Sequence, residues 1–327
     1  MERRQLPGTD RTVSAIGLGT WVAGGTSWGG SEPRLIAKAI ERALELGIDL
    51  VDTAPVYGFG RSEEIVGQAL VDQGARDKVF LATKCGLAWD DQGRVRRDSS
   101  PARIRAEIDD SLRRLRTDRI DLVQVHWPDP RTPIAETART LEELVGTGKI
   151  LAWGVSNFDA AQLAEAQASG RPVVDQVPYN IFEREIEKEL LPFCREKQVG
   201  VFAYGAICRG LLSGKFRSDA TFPEGDLRRA DPKFQQPRFG HYLAALERFR
   251  PIAYARGKTL TQLAVRWLLD RQGVTAALWG ARSPRQIEEA AGAIGWCLSE
   301  GEIAGIDRIL GETVPDPIDA SFMAPPA

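Results

Sequence analysis

The chain has little of what builds metal cages or disulfide frameworks: 327 residues hold four cysteines and two histidines. Cys85, Cys194, Cys208 and Cys297 are far apart and form no C-x-x-C pair, so neither a zinc cage nor a disulfide scaffold is predicted. The thiols read as ordinary and reduced. His126 and His241 would need clustered carboxylates or cysteines to hold an ion, and His241, which has none nearby in sequence, reads as a surface residue. No metal is expected, and a metal-dependent barrel hydrolase or isomerase finds no support. Long apolar runs are missing too, both the ~18 residues of a membrane span and the shorter core of a secretory signal, so no membrane association and a cytoplasmic location are expected. An excess of one charge is likewise absent. With 43 basic against 45 acidic residues, a net charge of -2 and no long basic run, the chain lacks a nucleic-acid footprint, and a small molecule is the expected partner.

A complete G-x-G-x-x-G turn is also lacking, since Gly17-Leu18-Gly19-Thr20-Trp21 does not extend into one. That counts against a doubly wound dinucleotide fold. What the sequence has instead is a polar residue closing one apolar strand after another: Leu-Val-Asp52, Leu-Ala-Thr-Lys84, Val-Gln-Val-His126, Gly-Val-Ser156-Asn157, Val-Asp-Gln176 and Phe-Ala-Tyr204. Chemistry at successive C-terminal strand ends is how a parallel barrel builds a site, so the predicted fold is an α/β, (β/α)8 TIM barrel. The length suits one barrel domain over residues 1–327, because such barrels exceed about 250 residues when they carry insertions.

Helical periodicity falls between the strands, over 32–46, 61–71, 101–115, 133–145, 159–168 and 184–197, and later over 242–255, 260–270 and 284–291. Ser31-Glu32-Pro33, Ser99-Ser100-Pro101 and Asn157-Phe158-Asp159 read as capped helix starts. Residues 4–14 read as an N-terminal β-hairpin plugging the barrel bottom, and 276–279 as the last strand. The glycine, proline and charge content of 205–240 predicts a long loop after strand seven, and beyond Ser299 a short helix precedes proline-rich coil.

Asp52 and Tyr57 lie across Asp-Thr-Ala-Pro-Val-Tyr-Gly, so a turn after the strand can swing the phenol over the barrel mouth, where Lys84 and His126 arrive from the next two strands. Together the four resemble the catalytic tetrad of the aldo-keto reductases. Leu18-Gly19-Thr20, Gly154-Val155-Ser156-Asn157-Phe158 and the 205–215 segment support that resemblance, which covers essentially the whole chain. It is closest to the bacterial general-stress branch, through His126-Trp127-Pro128-Asp129-Pro130, Leu227-Arg228-Arg229, Leu278-Trp279-Gly280-Ala281-Arg282 and Phe322-Met323-Ala324-Pro325-Pro326.

The resemblance implies NADPH-dependent reduction of small aldehydes and ketones to alcohols, with Tyr57 as general acid tuned by Lys84 and Asp52. A free phenol, with a pKa near 10, is a sluggish acid at neutral pH and needs such a neighbour. His126 would donate a hydrogen bond to the carbonyl oxygen, or share proton transfer in the reverse direction. For the cofactor the resemblance implies Gly19, Thr20, Trp21 and Asp52 near the nicotinamide, Ser156, Asn157 and Gln176 on its carboxamide, and Tyr204 stacked on the ring. Gly205, Ala206, Ile207, Arg209, Gly210, Leu211, Gly214 and Lys215 would hold the pyrophosphate, with two cations among them. Gly280, Ala281, Arg282, Gln286 and Glu289 resemble the adenosine 2′-phosphate pocket, and a phosphate-seeking arginine favours NADPH over NADH. Gly280 stands where many members have lysine, and Ala290 where an asparagine is frequent.

The expected substrate wall contains Trp21, Tyr57, Trp89, His126 and Trp127, with Trp28, residues 234–239 and the tail as further contributors. A monomer is expected, because the barrel needs no second chain to close its core. The competing reading is an NADPH-binding regulatory subunit similar to potassium-channel β subunits; the start of the chain almost directly at the hairpin, without an inactivation extension, favours the enzyme.

Overall fold

The computed structural model describes residues 1–25 and 32–326. Two short antiparallel strands, β1 (Arg3–Gln5) and β2 (Thr12–Ser14), pair Arg3 with Ser14. The barrel begins with β3 (Ile16–Gly19), β4 (Leu50–Asp52) and β5 (Phe80–Cys85). A second antiparallel hairpin, β6 (Leu87–Trp89) with β7 (Val95–Arg97), interrupts it. The barrel resumes with β8 (Leu122–Val125), β9 (Trp153–Ser156), β10 (Val174–Pro178), β11 (Gly200–Tyr204) and β12 (Val274–Gly280). Every neighbouring barrel pair is parallel, and β12 returns to β3, so the eight strands close without an edge. This is the predicted TIM barrel with its N-terminal hairpin.

Helices α1 (Pro33–Glu45), α2 (Arg61–Asp72), α3 (Pro101–Leu115), α4 (Ile134–Gly146), α5 (Ala160–Ser169) and α6 (Leu190–Glu196) alternate with the strands. After the long connection that follows β11 come α7 (Arg238–Ala255), α8 (Leu260–Leu269), α9 (Pro284–Ala291) and α10 (Glu300–Thr313).

Side chains alternate across a strand with period two, and here that period sorts chemistry from packing. On β4, Leu50 enters the barrel interior, Val51 packs outward against the helices, and Asp52 turns inward again at the top. On β5 the same rule buries Phe80 and Ala82 inside and places Lys84 above them. Leu122, Val174, Phe202 and Ala276 complete an apolar lower layer, closed from beneath by Leu6 and Val13 of the hairpin region. The polar layer containing Asp52, Lys84, Gln124 and Gln176 therefore rests on a packed plug.

Several boundaries differ from the sequence expectation. The 184–197 helix is broken into a 3-10 turn at Glu185–Glu187 and α6. Pro192 explains the break, since its ring would clash with the carbonyl of Lys188 in a continuous helix but is tolerated in a first turn. The long connection ends at Pro237 rather than 240, because α7 already begins at Arg238. Of the expected caps, Asp159 forms a capping box with Gln162, whereas Ser100 makes no cap bond and instead donates its hydroxyl to Asp98. Ser31 lies outside the described residues; Glu32 takes the cap position of α1 without a side-chain bond. The β6–β7 hairpin was not anticipated.

Candidate active site

Asp52, at the end of β4, is the organising group. Its Oδ2 accepts from Lys84 Nζ at 2.6 Å, and its Oδ1 accepts from Gln176 Nε2 at 2.8 Å and Gln124 Nε2 at 3.2 Å. Lys84 also donates to the carbonyl of Thr53 at 3.0 Å. Both members of the ion pair are buried, so the attraction is little screened and each charge is held by hydrogen bonds. Burial pulls the Lys84 ammonium below its ordinary range while Asp52 works to raise it again.

Tyr57 comes from the turn after β4. That turn is set by glycine: a Cβ on Gly58, where φ is +65°, would stand 2.2 Å from the carbonyl oxygen of Gly24, and one on Gly24 would stand 2.6 Å from Gly58 N. Two segments of the chain meet here at a distance only hydrogen permits. The Tyr57 ring stacks on Trp21 at 5.8 Å and meets His126 edge-on, also at 5.8 Å. Lys84 Nζ lies 5.1 Å from the Tyr57 ring centroid. Burial first, and the Asp52 carboxylate second, push the phenol well above its usual range, so it is protonated at neutral pH. The sequence expectation that Lys84 tunes this acid thus rests on the approach of the cation rather than on a lowered pKa. Burial and the Lys84 charge hold His126 well below the ordinary imidazole range, which makes it a neutral donor.

A cavity of about 640 Å³ runs from Tyr57 and His126 to Arg282 and Gln286. Its wall contains Gly19, Thr20, Trp21 and Asp52 from the first two barrel strands and their loops. Ser156, Asn157, Gln176 and Tyr204 follow from the next strand ends; Tyr204 OH donates to Asn157 Oδ1 at 2.8 Å, and Asn157 Nδ2 donates to the carbonyl of His126 at 2.9 Å. Gly205, Ala206, Ile207, Arg209, Gly210 and Lys215 line the loop after β11, and Gly280 the end of β12.

Some expected residues are not on this wall. Leu211 and Ala281 are buried behind it, Glu289 stands apart, and Gly214 is turned so that a Cβ would meet Leu260 and Arg250. Arg209 borders the cavity, but its guanidinium is engaged by Glu183 and by Asp231 at 2.5 Å. Its charge is therefore already met by protein, unlike the pair of pyrophosphate cations read from sequence. Trp127 lines the wall, whereas Trp89 packs on Phe59 at 5.6 Å and leaves Phe59 to face the cavity. Phe234 and Phe239 do not reach it, because they join Phe216 and Phe222 in an aromatic cluster between the long connection and the first turn of α7. Trp28 lies outside the described residues.

Sequence reading missed Gln124, although two-residue alternation before His126 places it on the same face. It also missed Phe59 and Arg228 of the connecting segments, and Leu87 and Val95 of the unanticipated β6–β7 hairpin, whereas Met323 and Pro325 bring the expected tail to the wall. Among the described residues no group of His, Cys, Asp and Glu is arranged to hold a metal ion, and no helix is long and apolar enough to cross a membrane.

A polar layer over a plugged parallel barrel, with a buried lysine–aspartate pair beneath a tyrosine and a histidine, defines an oxidoreductase of the aldo/keto reductase class. Residues 15–310 match the aldo/keto reductase family, and the chain belongs to it. It is 48% identical over 327 residues to aldo-keto reductase YhdN of Bacillus subtilis, covering 100% of this chain and 98% of that protein. It is 37% identical over 316 residues to an Escherichia coli protein named NADH-specific methylglyoxal reductase, covering 92% and 96%. Among solved structures it is similar to the glycerol dehydrogenase AKR11B4 from Gluconobacter oxydans, with TM-score 0.90, 50% identity and coverage of 98% and 99%. A Klebsiella pneumoniae aldo/keto reductase in complex with NADP and acetate aligns with TM-score 0.73 and 30% identity, covering 97% of each chain.

Proposed function

We propose that this chain reduces small aldehydes and ketones to alcohols with NADPH, reversibly, using Tyr57 as the proton donor. The carrying observation is that Tyr57 and His126 share one wall of the cavity with Lys84 Nζ 5.1 Å behind the Tyr57 ring. The residues present fit a nicotinamide dinucleotide. Lys215 and Arg282 stand on the wall of the cavity of about 640 Å³, and a substituent at Gly280 would meet nothing within 4 Å, so backbone there is open to approach.

When bound, the nicotinamide supplies the hydride that no side chain can. Tyr57 holds its proton at neutral pH and delivers it to the carbonyl oxygen, and the Lys84 cation, kept in place by Asp52, favours the phenolate left behind. Neutral His126 donates to the same oxygen and fixes its direction. Ser156, Asn157 and Gln176 serve the carboxamide; the two bonds from Gln176 Nε2 leave its side-chain oxygen as the acceptor. Tyr204 serves the ring face. Arg282, with Gln286 beside it, serves a 2′-phosphate and is the basis for NADPH over NADH. On this reading the protein works as a monomeric cytoplasmic enzyme on a diffusing substrate.

The test follows NADPH absorbance with methylglyoxal, dihydroxyacetone and aromatic aldehydes, in wild type and Tyr57→Phe, and repeats it with NADH. Oxidation that requires Tyr57 supports the reading. Tight NADPH binding without turnover of any carbonyl overturns it.

A further inference from the structure

Residues 319–326 border the cavity, through Met323 and Pro325, as a strap fastened at both ends. The near end is tied to buried charge: Lys233 Nζ donates to the carbonyl of Asp319 at 2.7 Å, and the Phe322 ring lies under Arg209 at 5.4 Å and Lys233 at 5.7 Å. These cations belong to a cluster with Glu183 and Asp231 that has almost no exposed surface, so this anchor is rigid. The far end depends on Arg97. Its Nε and Nη2 both donate to the carbonyl of Pro325, at 3.0 and 2.9 Å, while Nη1 donates to the carbonyl of Pro128 at 2.9 Å. The guanidinium also lies 5.5 Å from the centroid of Trp127.

Arg97 is therefore a hub between the β6–β7 hairpin, the segment that follows His126, and the strap. Among the described residues it forms no ion pair; three of its five donors go to backbone carbonyls. A planar fork on two carbonyls fixes position rather than balancing charge. Met323 and Pro325 line the cavity, and Pro325 shares the Arg97 guanidinium with Trp127, which lines it too.

We infer that Arg97 is a specificity-determining residue, a clasp that holds the strap as one wall of the carbonyl pocket and so limits which carbonyl compounds enter. The inference rests on the reductase reading for its substrate, and on the strap geometry for its mechanism. Arg97 touches neither reacting atom and is a positioning residue. Its loss frees the Pro325 end while the Lys233 anchor and the Tyr57 site remain.

The test compares wild type, Arg97→Ala, Arg97→Lys and a chain ended after Asp319. Hydrogen–deuterium exchange of peptides covering 319–326 is read alongside kcat and KM for methylglyoxal and for a bulky aromatic ketone. Arg97→Ala is expected to speed exchange in the strap, raise KM for methylglyoxal about threefold or more with kcat within about twofold, and shift relative kcat/KM toward the bulky ketone. Arg97→Lys, with a single point donor, restores part of both effects, and Arg97→Ala adds nothing in the shortened chain. Unchanged exchange in Arg97→Ala, or an unchanged preference between the two carbonyls, overturns the clasp. If wild type reduces no carbonyl the functional reading falls, while the exchange comparison still decides whether Arg97 fastens the strap.

Discussion

Lys84 Nζ donates to Asp52 Oδ2 across 2.6 Å with both groups buried, so each is the other's main compensation for leaving water. Lys84→Met removes the cation and leaves an uncompensated carboxylate, a change that costs on the order of 3–5 kcal/mol for a buried pair. We expect a large fall in Tm together with loss of turnover. Lys84→Met combined with Asp52→Asn should recover much of the Tm and none of the turnover, which thermal unfolding and carbonyl-dependent NADPH oxidation measure separately. Equal recovery of both would mean that the pair is structural only.

The same charges set the pH behaviour of reduction. In the proposed mechanism Tyr57 must be protonated to act as the acid, and its pKa is raised; His126 must be a neutral donor, and its pKa is lowered. Neither titrates in the middle of the range. The kcat/KM for reduction should stay flat from about pH 6 to about pH 9, on either side of which the unperturbed imidazole and phenol values would otherwise cut it. An ionisation near the ordinary histidine value that disappears in His126→Gln would contradict the neutral-imidazole assignment.

Gly24 and Gly58 place the phenol. Gly24→Ala leaves an ordinary backbone conformation but sets a methyl 2.6 Å from Gly58 N and from the Tyr57 carbonyl carbon, so the Tyr57 turn must shift. Overpacking of this kind costs about 1–3 kcal/mol, and misplacing a catalytic group by about 1 Å can cost about 100-fold in rate. The expected variant is folded, with a modest drop in Tm and a disproportionate drop in kcat. A variant with full kcat would show that the close approach has no part in placing Tyr57.

Much of this was legible because a barrel strand writes its chemistry at period two. Asp52, Lys84, His126, Gln176 and Tyr204 each end an apolar run, and the barrel brought them to one mouth. Gln124 followed the same rule and could have been read two positions before His126. What the sequence concealed came from loops, where no period constrains the side chain. Arg209 looked like a phosphate-binding cation because its partners, Glu183 and Asp231, are distant in sequence. Trp89 and Phe59 exchanged roles for the same reason. Arg97 gave no signal at all, since its partners are backbone carbonyls that any sequence supplies.

Asp175 shows the alternation from its other face. It lies on β10 beside Gln176 but points outward, fully buried, with neither carboxylate oxygen in a hydrogen bond of good geometry. Burial drives its pKa well above the ordinary value, against the opposing pull of the Phe158 amide. An acid whose folded pKa is raised binds its proton in the native state after the unfolded chain has released it. Its contribution therefore turns against folding as pH rises above the unfolded value of about 4, and the penalty grows until the folded group ionises. Asp175→Asn keeps the shape and removes the titration. We expect it to be more stable than wild type at pH 8 by about 1–3 kcal/mol, with the difference shrinking toward pH 4. Urea unfolding at both pH values measures it, and a variant less stable at pH 8 would mean that the carboxylate has a partner worth more than its burial costs.

Cofactor choice is the point on which the relatives divide, one being named NADH-specific and one structure holding NADP. Arg282 decides it here if the guanidinium meets a 2′-phosphate. Its backbone N–H donates to Gln286 Oε1 at 2.8 Å, which joins the strand end to the first turn of α9, and both residues line the cavity. A guanidinium can pair with phosphate through two parallel hydrogen bonds, whereas a 2′-hydroxyl gives it little to hold. Arg282→Ala should therefore raise the Kd for NADPH about tenfold to 100-fold and leave the Kd for NADH within about threefold, since a charge-assisted hydrogen bond is worth about 1.5–3 kcal/mol. Quenching of protein fluorescence gives both constants without turnover. Equal loss for the two cofactors would place Arg282 on the shared pyrophosphate, and no loss for either would take it out of the cofactor site.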